Sequence, residues 1–386
     1  MIGGWLRRTR DRHRALRAAA LCLTVLAAVG AGACAGRART GEHRAADQVP
    51  LNRTQCVGTH NSYKEAIEPA LYSILRAADA RVEALDYAHP PLAQQLDMGL
   101  RALELDVYHD PDGGRYARPI GLALVRAAGR EPAPFDPTGD LAPPGFKVMH
   151  DADVDFRSSV LSLEGALAEL RRWSEAHPDH EPVIVTMNTK RTRGRLPGAV
   201  EPGPITSAVL EALDATLLAG LSRQRLLTPD DVRGNAATLN EAIRIRGWPA
   251  LANCRGRFLF VLDEGGDARE AYARGRPSLA GRVMFTTHAP GEPESAFLVI
   301  NDPIRDGDRI RSLVAQGYMV RTRADSETRE ARDANFTRAR AALDSGAQVI
   351  STDYPSPDPR WRSGAYRVSL PGGVFWRVQP DRPHGG

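Results

Sequence analysis

The sequence predicts an α/β fold, a TIM-like (β/α)8 barrel in a single catalytic domain with long loops. Three observations predict it. Short apolar runs recur eight times between residues 55 and 352. Amphipathic helical patterns alternate with them, as parallel βαβ units require. The 386 residues, less a distinct N-terminal segment, suffice for one barrel with insertions.

The expected strands are Gln55–Gly58, Leu100–Val107, Phe146–Met149 and Pro182–Met187 in the first half. The second half offers Phe258–Asp263, then Phe297–Ile300 or Val283–Thr286 as the sixth, Tyr318–Arg321 and Gln348–Thr352. Between them, 161–176 places Leu161, Leu163, Leu167, Leu170 and Trp173 at helical spacing. Residues 205–218, 309–315 and 326–343 read as further helices, the last capped by Asp325 or Ser326. The Pro/Gly-rich stretch 111–144 reads as a long loop on the active-site side, a candidate lid that meets the bilayer. Residues 191–204, rich in Pro, Gly and Arg, follow the fourth strand in the same way. The barrel is assigned to 51–370 and a C-terminal tail to 371–386. No glycine fingerprint of a dinucleotide fold, P-loop, CxxC zinc pattern or internal repeat is present.

Residues 1–35 differ in kind. Six arginines precede the apolar run 18–29, and Gly30-Ala31-Gly32-Ala33-Cys34 supplies small residues for cleavage. This is the pattern of a secretory signal peptide, with Cys34 a possible acylated anchor. A flexible leader, 36–50, follows. The signal carries six Arg and one Asp, so its removal takes the chain from +4 to about −1. The basic pI therefore gives no argument for nucleic-acid binding. Cleavage leaves Cys56 and Cys254. Export permits a bridge between them; two buried thiols are the alternative.

Four segments at strand ends carry the chemistry: Thr59-His60-Asn61-Ser62-Tyr63, Glu104-Leu105-Asp106, Lys147-Val148-Met149-His150 and Met187-Asn188-Thr189-Lys190. In this fold the active site lies where strands end. Glu104 and Asp106 are two apart on a strand and face the same way. Two inward carboxylates need positive charge, from a cation or from barrel arginines. Oxygen donors from Glu104, Asp106, Asn61 and Asn188 suit Ca²⁺ or Mg²⁺ better than zinc. The chain has 48 arginines but only three lysines, Lys64, Lys147 and Lys190, each beside one of these segments. Lys190 and Lys147 are the candidates for a substrate phosphate, Lys190 foremost because it shares a strand face with Asn188. Asp151, Asp153 and Asp155 read as a solvated acidic turn, while Asp263, Glu264 or Asp353 could bind substrate hydroxyls.

Gly58-Thr59-His60-Asn61-Ser62-Tyr63, Arg101-Ala102-Leu103-Glu104-Leu105-Asp106-Val107-Tyr108 and Val148-Met149-His150 resemble the catalytic X region of phosphoinositide-specific phospholipase C. The likeness is closest to its secreted, calcium-dependent bacterial members, whose last two strands resemble 321–325 and 351–355. It implies cleavage of phosphatidylinositol at a membrane surface. The inositol 2-hydroxyl attacks phosphorus, giving diacylglycerol and an inositol cyclic phosphate. The resemblance implies that His60 and His150 are catalytic and stabilise the pentacoordinate phosphorane, His150 also protonating the leaving oxygen. It gives calcium to Asn61, Glu104, Asp106 and a carboxylate on the next strand, where this chain has Asn188. One ligand charge fewer weakens calcium binding. A secreted monomer with no obligate protein partner and no nucleic-acid partner is expected. The rival readings are a glycerophosphodiester phosphodiesterase, a sphingomyelinase-D-like barrel, or a non-catalytic lipid- or sugar-binding barrel.

Overall fold

The computed structural model describes residues 47–361 and 366–380. The signal segment, Cys34 and most of the leader lie outside the described residues. Among these residues ten strands form one sheet. They are β1 (Thr54–Thr59), β2 (Ala102–Asp110), β3 (Gly145–Val148), β4 (Val183–Thr189) and β5 (Phe258–Leu262), then β6 (Phe285–Thr286), β7 (Phe297–Val299), β8 (Met319–Arg323), β9 (Val349–Thr352) and β10 (Trp376–Val378). Eight of them lie side by side in the order β6-β5-β4-β2-β1-β9-β8-β7. Every pairing along that path is parallel. The eight make a nearly closed barrel with its gap between β6 and β7.

The (β/α)8 expectation holds, with one strand exchanged. Phe146–Met149 was expected as the third barrel strand. Instead β3 runs antiparallel to the outer half of β2, from Val107↔Val148 to Asp110↔Gly145. Nine-residue β2 overshoots the barrel layer, and an antiparallel neighbour needs no crossover helix. The count of eight survives because both candidates for the sixth strand form. A four-residue apolar run carries no information about its partner.

Three other expectations change. Stretch 111–144 is not a free lid. It contains the helix Ile120–Ala127 and buries Tyr116, Val125 and Leu141 against Leu71, Leu75 and Phe156 in a second apolar core. Stretch 326–343 breaks into Arg329–Asp333 and Thr337–Asp344, because Ala334 turns left-handed at φ 51°. The expected tail from 371 returns to the barrel, where β10 pairs antiparallel with Thr54–Cys56.

The helix Leu163–Ala176 shows why sequence and structure agree elsewhere. Ser162 caps it, its Oγ accepting from the Gly165 amide at 3.2 Å. Leu163, Leu167, Leu170 and Trp173 make its buried stripe. Cys56 and Cys254 are separate buried thiols, and burial pushes each up to about 12.

β1 and β2 meet at Gly58↔Ala102. A Cβ on Gly58 would overlap the Ala102 carbonyl and Cβ. The close approach sets the two strands that carry His60 and Glu104. We expect Gly58→Ala to lower the unfolding free energy by ~3 kcal/mol in urea titrations; a change below ~0.5 kcal/mol would show that the strands can part freely.

Candidate functional site

The turn after β1 is fastened to β2 by hydrogen bonds. Thr59 Oγ1 lies 2.6 Å from Ser62 Oγ and donates to Gln95 Oε1 at 2.5 Å. Gln95 Nε2 donates to the Ser62 carbonyl at 2.6 Å. Ser62 Oγ accepts the Glu104 amide at 2.8 Å. Within this turn Asn61 is left-handed, φ 47°, a conformation asparagine tolerates better than most residues. The turn thus delivers His60 and Asn61 to the barrel mouth in fixed register with Glu104.

Both histidines are backed by buried carboxylates. His60 Nδ1 is 2.9 Å from Asp353 Oδ1, and Asp353 Oδ2 accepts from Arg323 at 3.1 Å. Arg323 also reaches His60 Nε2 at 3.4 Å. A guanidinium can only donate, so Nε2 accepts and the neutral ring donates its Nδ1 proton to Asp353. Burial and the Arg323 charge hold the His60 pKa well below its ordinary value. Behind this pair stands Asp325, whose Oδ1 accepts the Asp353 amide at 2.8 Å. Burial raises both carboxyls. Arg323 bridges only to Asp353, so Asp325 is the one pushed up to about 7 by burial and its neighbour's charge.

On the other side, His150 Nδ1 is 2.8 Å from Asp155 Oδ2, and Lys64 Nζ donates to Asp155 Oδ1 at 2.8 Å. Asp155 and Lys64 are fully buried. Burial alone would raise Asp155, but Lys64 and His150 outweigh it and hold the carboxyl below its usual range. The expected solvated acidic turn is therefore an interior support. The two imidazoles remain partly open, with side-chain exposures of 19% and 25%.

Between the histidines lie Glu104 and Asp106. In the parallel pairing Asp106 stands beside Asn188. Glu104 is paired with Arg321, which also holds Asn301 at 2.7 Å and Ser351 at 3.0 Å. Asp106 takes Lys190 at 2.7 Å. Burial opposes both charges of this second pair. Lys190 and His150 nevertheless hold Asp106 low, and Asp106 and Glu104 hold Lys190 high. Asn188 Nδ2 donates to Glu104 Oε1 at 3.3 Å, and Asn61 Oδ1 accepts from Tyr63 at 3.3 Å. His60 Nε2 is 3.7 Å from Glu104 Oε1.

The structure therefore brings His60, His150, Asn61, Glu104, Asp106, Asn188 and Lys190 to one mouth. It does not bring Lys147. That buried ammonium donates to the carbonyls of Asp140 at 3.2 Å and Pro143 at 2.5 Å, pinning the long connection that precedes β3. The expectation of a phosphate role for Lys147 is corrected: β3 left the barrel layer and took the lysine with it. Glu264 accepts the Thr189 amide at 2.7 Å, and Asp353 serves His60, so neither stands free for a substrate hydroxyl. Asp155, Arg321, Arg323 and Tyr87, whose hydroxyl is 3.2 Å from His60 Nδ1, escaped sequence reasoning as members of this group, and Asp353, expected there for a substrate hydroxyl, instead supports His60. The single available signal was the placement of Asp353 and the arginines at the ends of the last two strands.

The donor set fits a hard divalent cation in kind: two carboxylates and two amides at one strand-end layer. Each carboxylate already holds a protein cation, and the Asn188 amide presents its NH2 to Glu104. Among the described residues no three His, Cys, Asp or Glu side chains converge ready to hold an ion. A bound ion would exchange with the Arg321 and Lys190 contacts.

Two carboxylate-backed histidines around a strand-end carboxylate layer in a parallel barrel suit acid and base chemistry on a phosphoric diester. The family model of calcium-dependent phosphoinositide phospholipase C matches residues 49–380, and the chain belongs to that family. Among solved structures it is similar to the calcium-dependent phosphoinositol-specific phospholipase C of a Gram-negative Pseudomonas. Identity is 16%, with 87% of this chain and 97% of that one covered, at a TM-score of 0.51. The calcium-dependent enzyme of Streptomyces antibioticus aligns at 19% identity over 79% and 95% of the two chains, with a TM-score of 0.49. No curated protein matches the chain.

Two outcomes are expected. Lys64→Met leaves the Asp155 charge buried with only His150, and should destabilise the fold by ~4 kcal/mol in chemical denaturation. His89, buried and donating from Nε2 to the His60 carbonyl at 2.9 Å, is lowered to about 4 by burial. A histidine kept neutral in the fold gives stability that is present above pH 6.5 and lost as pH falls toward 4. Relative to His89→Gln, the wild type should lose ~3 kcal/mol across that window; parallel curves for the two proteins would refute the assignment.

Proposed function

We propose that the chain cleaves phosphatidylinositol by intramolecular transfer, His60 acting as base and His150 as acid. The pairing of each histidine with its own buried carboxylate is the observation that carries this reading. His60 is neutral with Nε2 the accepting nitrogen, so it can take the proton of the inositol 2-hydroxyl once that hydroxyl replaces the long 3.4 Å contact from Arg323. That oxygen bonds to phosphorus as the bond from phosphorus to the glycerol oxygen breaks. His150 delivers a proton to the departing oxygen, giving diacylglycerol and inositol cyclic phosphate. Attack from within the substrate removes the entropy of bringing in a nucleophile.

Lys190 is the cation for a phosphate oxygen. Asp353 and Asp155 hold the two rings in orientation. Asn61, Glu104, Asp106 and Asn188 are the residues to hold calcium. Bound there, the ion offsets charge at phosphorus and acidifies the attacking hydroxyl. Asn188 supplies no charge, which makes calcium affinity low; abundant extracellular calcium offsets this for an exported enzyme. Export rests on the signal pattern of residues 1–35, and action as a monomer belongs to the same reading.

Phosphorus NMR of phosphatidylinositol incubated with the protein should show inositol cyclic phosphate with calcium and none with EDTA. His60→Ala and His150→Ala should each cut the rate by about 10³-fold. Asn188→Asp should tighten calcium by about tenfold in calorimetry. Product formation that survives EDTA would remove the metal from the reaction, and full activity in His60→Ala would remove the base.

A further inference from the structure

The barrel does not close between β6 and β7, and a cavity of about 310 Å³ opens at that seam. Its lining comes from the segment after β6, the end of β7 and the first turns of the helix Pro303–Ala315. Among the described residues that line it there is no member of the histidine and carboxylate group at the mouth. Val299 stands beside the inward-pointing Arg321 in the β7–β8 pairing, so the alternate wall residues Leu298 and Ile300 face outward. The cavity therefore reaches the helix side of the seam. His288 lines it and is buried, at 5% exposure. Thr286 is fully buried, and among the described residues its hydroxyl meets only His288 Nδ1, at 2.7 Å. A buried hydroxyl hydrogen needs an acceptor, so Thr286 donates, Nδ1 accepts, and the neutral ring carries its proton on Nε2. Burial, and after it the Arg269 charge, holds this imidazole below its ordinary pKa. Ser295 fixes the residue by donating to the His288 carbonyl at 3.0 Å. Among the described residues Nε2 has no partner, which leaves its N–H to the cavity.

Further donors line the same cavity. Asn301 Oδ1 accepts from Arg321 at 2.7 Å, so its NH2 group is the free end, unpartnered among the described residues. Arg309 is exposed and, among the described residues, has neither a hydrogen bond nor an ion pair. Arg269 Nη1 donates to the Thr287 carbonyl at 2.9 Å, which holds that guanidinium at the wall, and its other side meets Glu270 at 2.8 Å. Asp306, the one carboxylate among the described lining residues, is taken by Arg305 at 2.7 Å. Three arginines against one carboxylate leave the wall positive. We propose that this seam cavity binds a small phosphate monoester, its dianionic head taken by the His288 Nε2–H, the Asn301 NH2 and Arg309. Fixed neutral donors beside a free guanidinium match the oxygens of a phosphate. The volume is at the small end for ligand pockets, which suits a soluble ester rather than a diacyl lipid. The assignment is independent of the chemistry at the mouth.

Calorimetry of the full chain with glycerol 3-phosphate, in EDTA, should show one saturable site. Arg309→Glu reverses an exposed charge without touching the interior, and should weaken that site at least tenfold. His288→Leu removes the buried donor and should weaken it to a similar extent. Arg81→Glu is the control for binding at the mouth, because Arg81 is 76% exposed in the cleft beside His150. It should leave the affinity within twofold. An affinity unchanged in Arg309→Glu, or lost in Arg81→Glu, would overturn the site. So would the absence of saturable binding up to about 10 mM ester. Capture of phosphatidic acid vesicles without binding of the soluble ester would overturn the assignment to a soluble ligand.

Discussion

Burying Glu104 and Asp106 at the mouth of the barrel costs several kcal/mol for each charge unless a positive group meets it. Arg321 meets the first and Lys190 the second. These two pairs tie together strands far apart in sequence: β2 to β8 across the barrel, and β2 to the end of β4 beside it. Arg321 also holds Asn301 after β7 and Ser351 on β9, so one guanidinium spans the sheet order β2-β1-β9-β8-β7. The same pairs set the terms for a divalent ion. A cation entering this layer would compete with the protein charges already seated on Glu104 and Asp106, and Asn188 would add none to draw it in.

The two histidine supports share a design but differ in charge. Asp353 is buried between His60 and Arg323, with a second carboxyl, Asp325, behind it. The arginine that neutralises Asp353 also faces the imidazole, and burial together with that charge holds the His60 pKa well below its ordinary value. Asp155 is instead neutralised by Lys64, which donates to the carboxylate from the side away from His150. An arginine aimed at the ring nitrogen opposes protonation; a lysine behind the carboxylate does not touch the ring. This asymmetry gives the two imidazoles different neighbours, an arginine and a carboxylate for His60 and a carboxylate for His150. Two identical residue types thus acquire different chemistry from their neighbours alone.

The cleft beside His150 joins that asymmetry to the overall architecture. Its apolar wall comes from the helix Pro69–Ala78 and the turn that follows, elements inserted between β1 and the second barrel strand. Its other boundary is the arginine-rich connection after β4. Both grow from strand ends at the mouth, where a barrel can change its loops without disturbing its core. The antiparallel hairpin of β2 and β3 supports this side of the molecule. It lifts Met149 and Tyr108 into the second apolar core that carries the helix.

The barrel class, most strand positions and the residues that gather at the mouth were legible in the sequence by itself. The reason is local: strand parity puts Glu104 and Asp106 on one face, and a strand end followed by a polar turn is where a barrel displays side chains. Motif spacing pointed to His60, Asn61, His150, Asn188 and Lys190 for the same reason. Only the tertiary structure decided the partners. Whether Phe146–Val148 joined the barrel or folded back on β2 depended on which edge was free, a non-local matter. Lys147 followed that strand away from the site. Asp155 looked like a surface acid because nothing near it in sequence announces the buried Lys64, 91 residues earlier. Arg321, Arg323 and Asp353 reach their partners over separations of more than 200 residues. Charge compensation in an interior is settled by proximity in space, and one-dimensional patterns carry little of it.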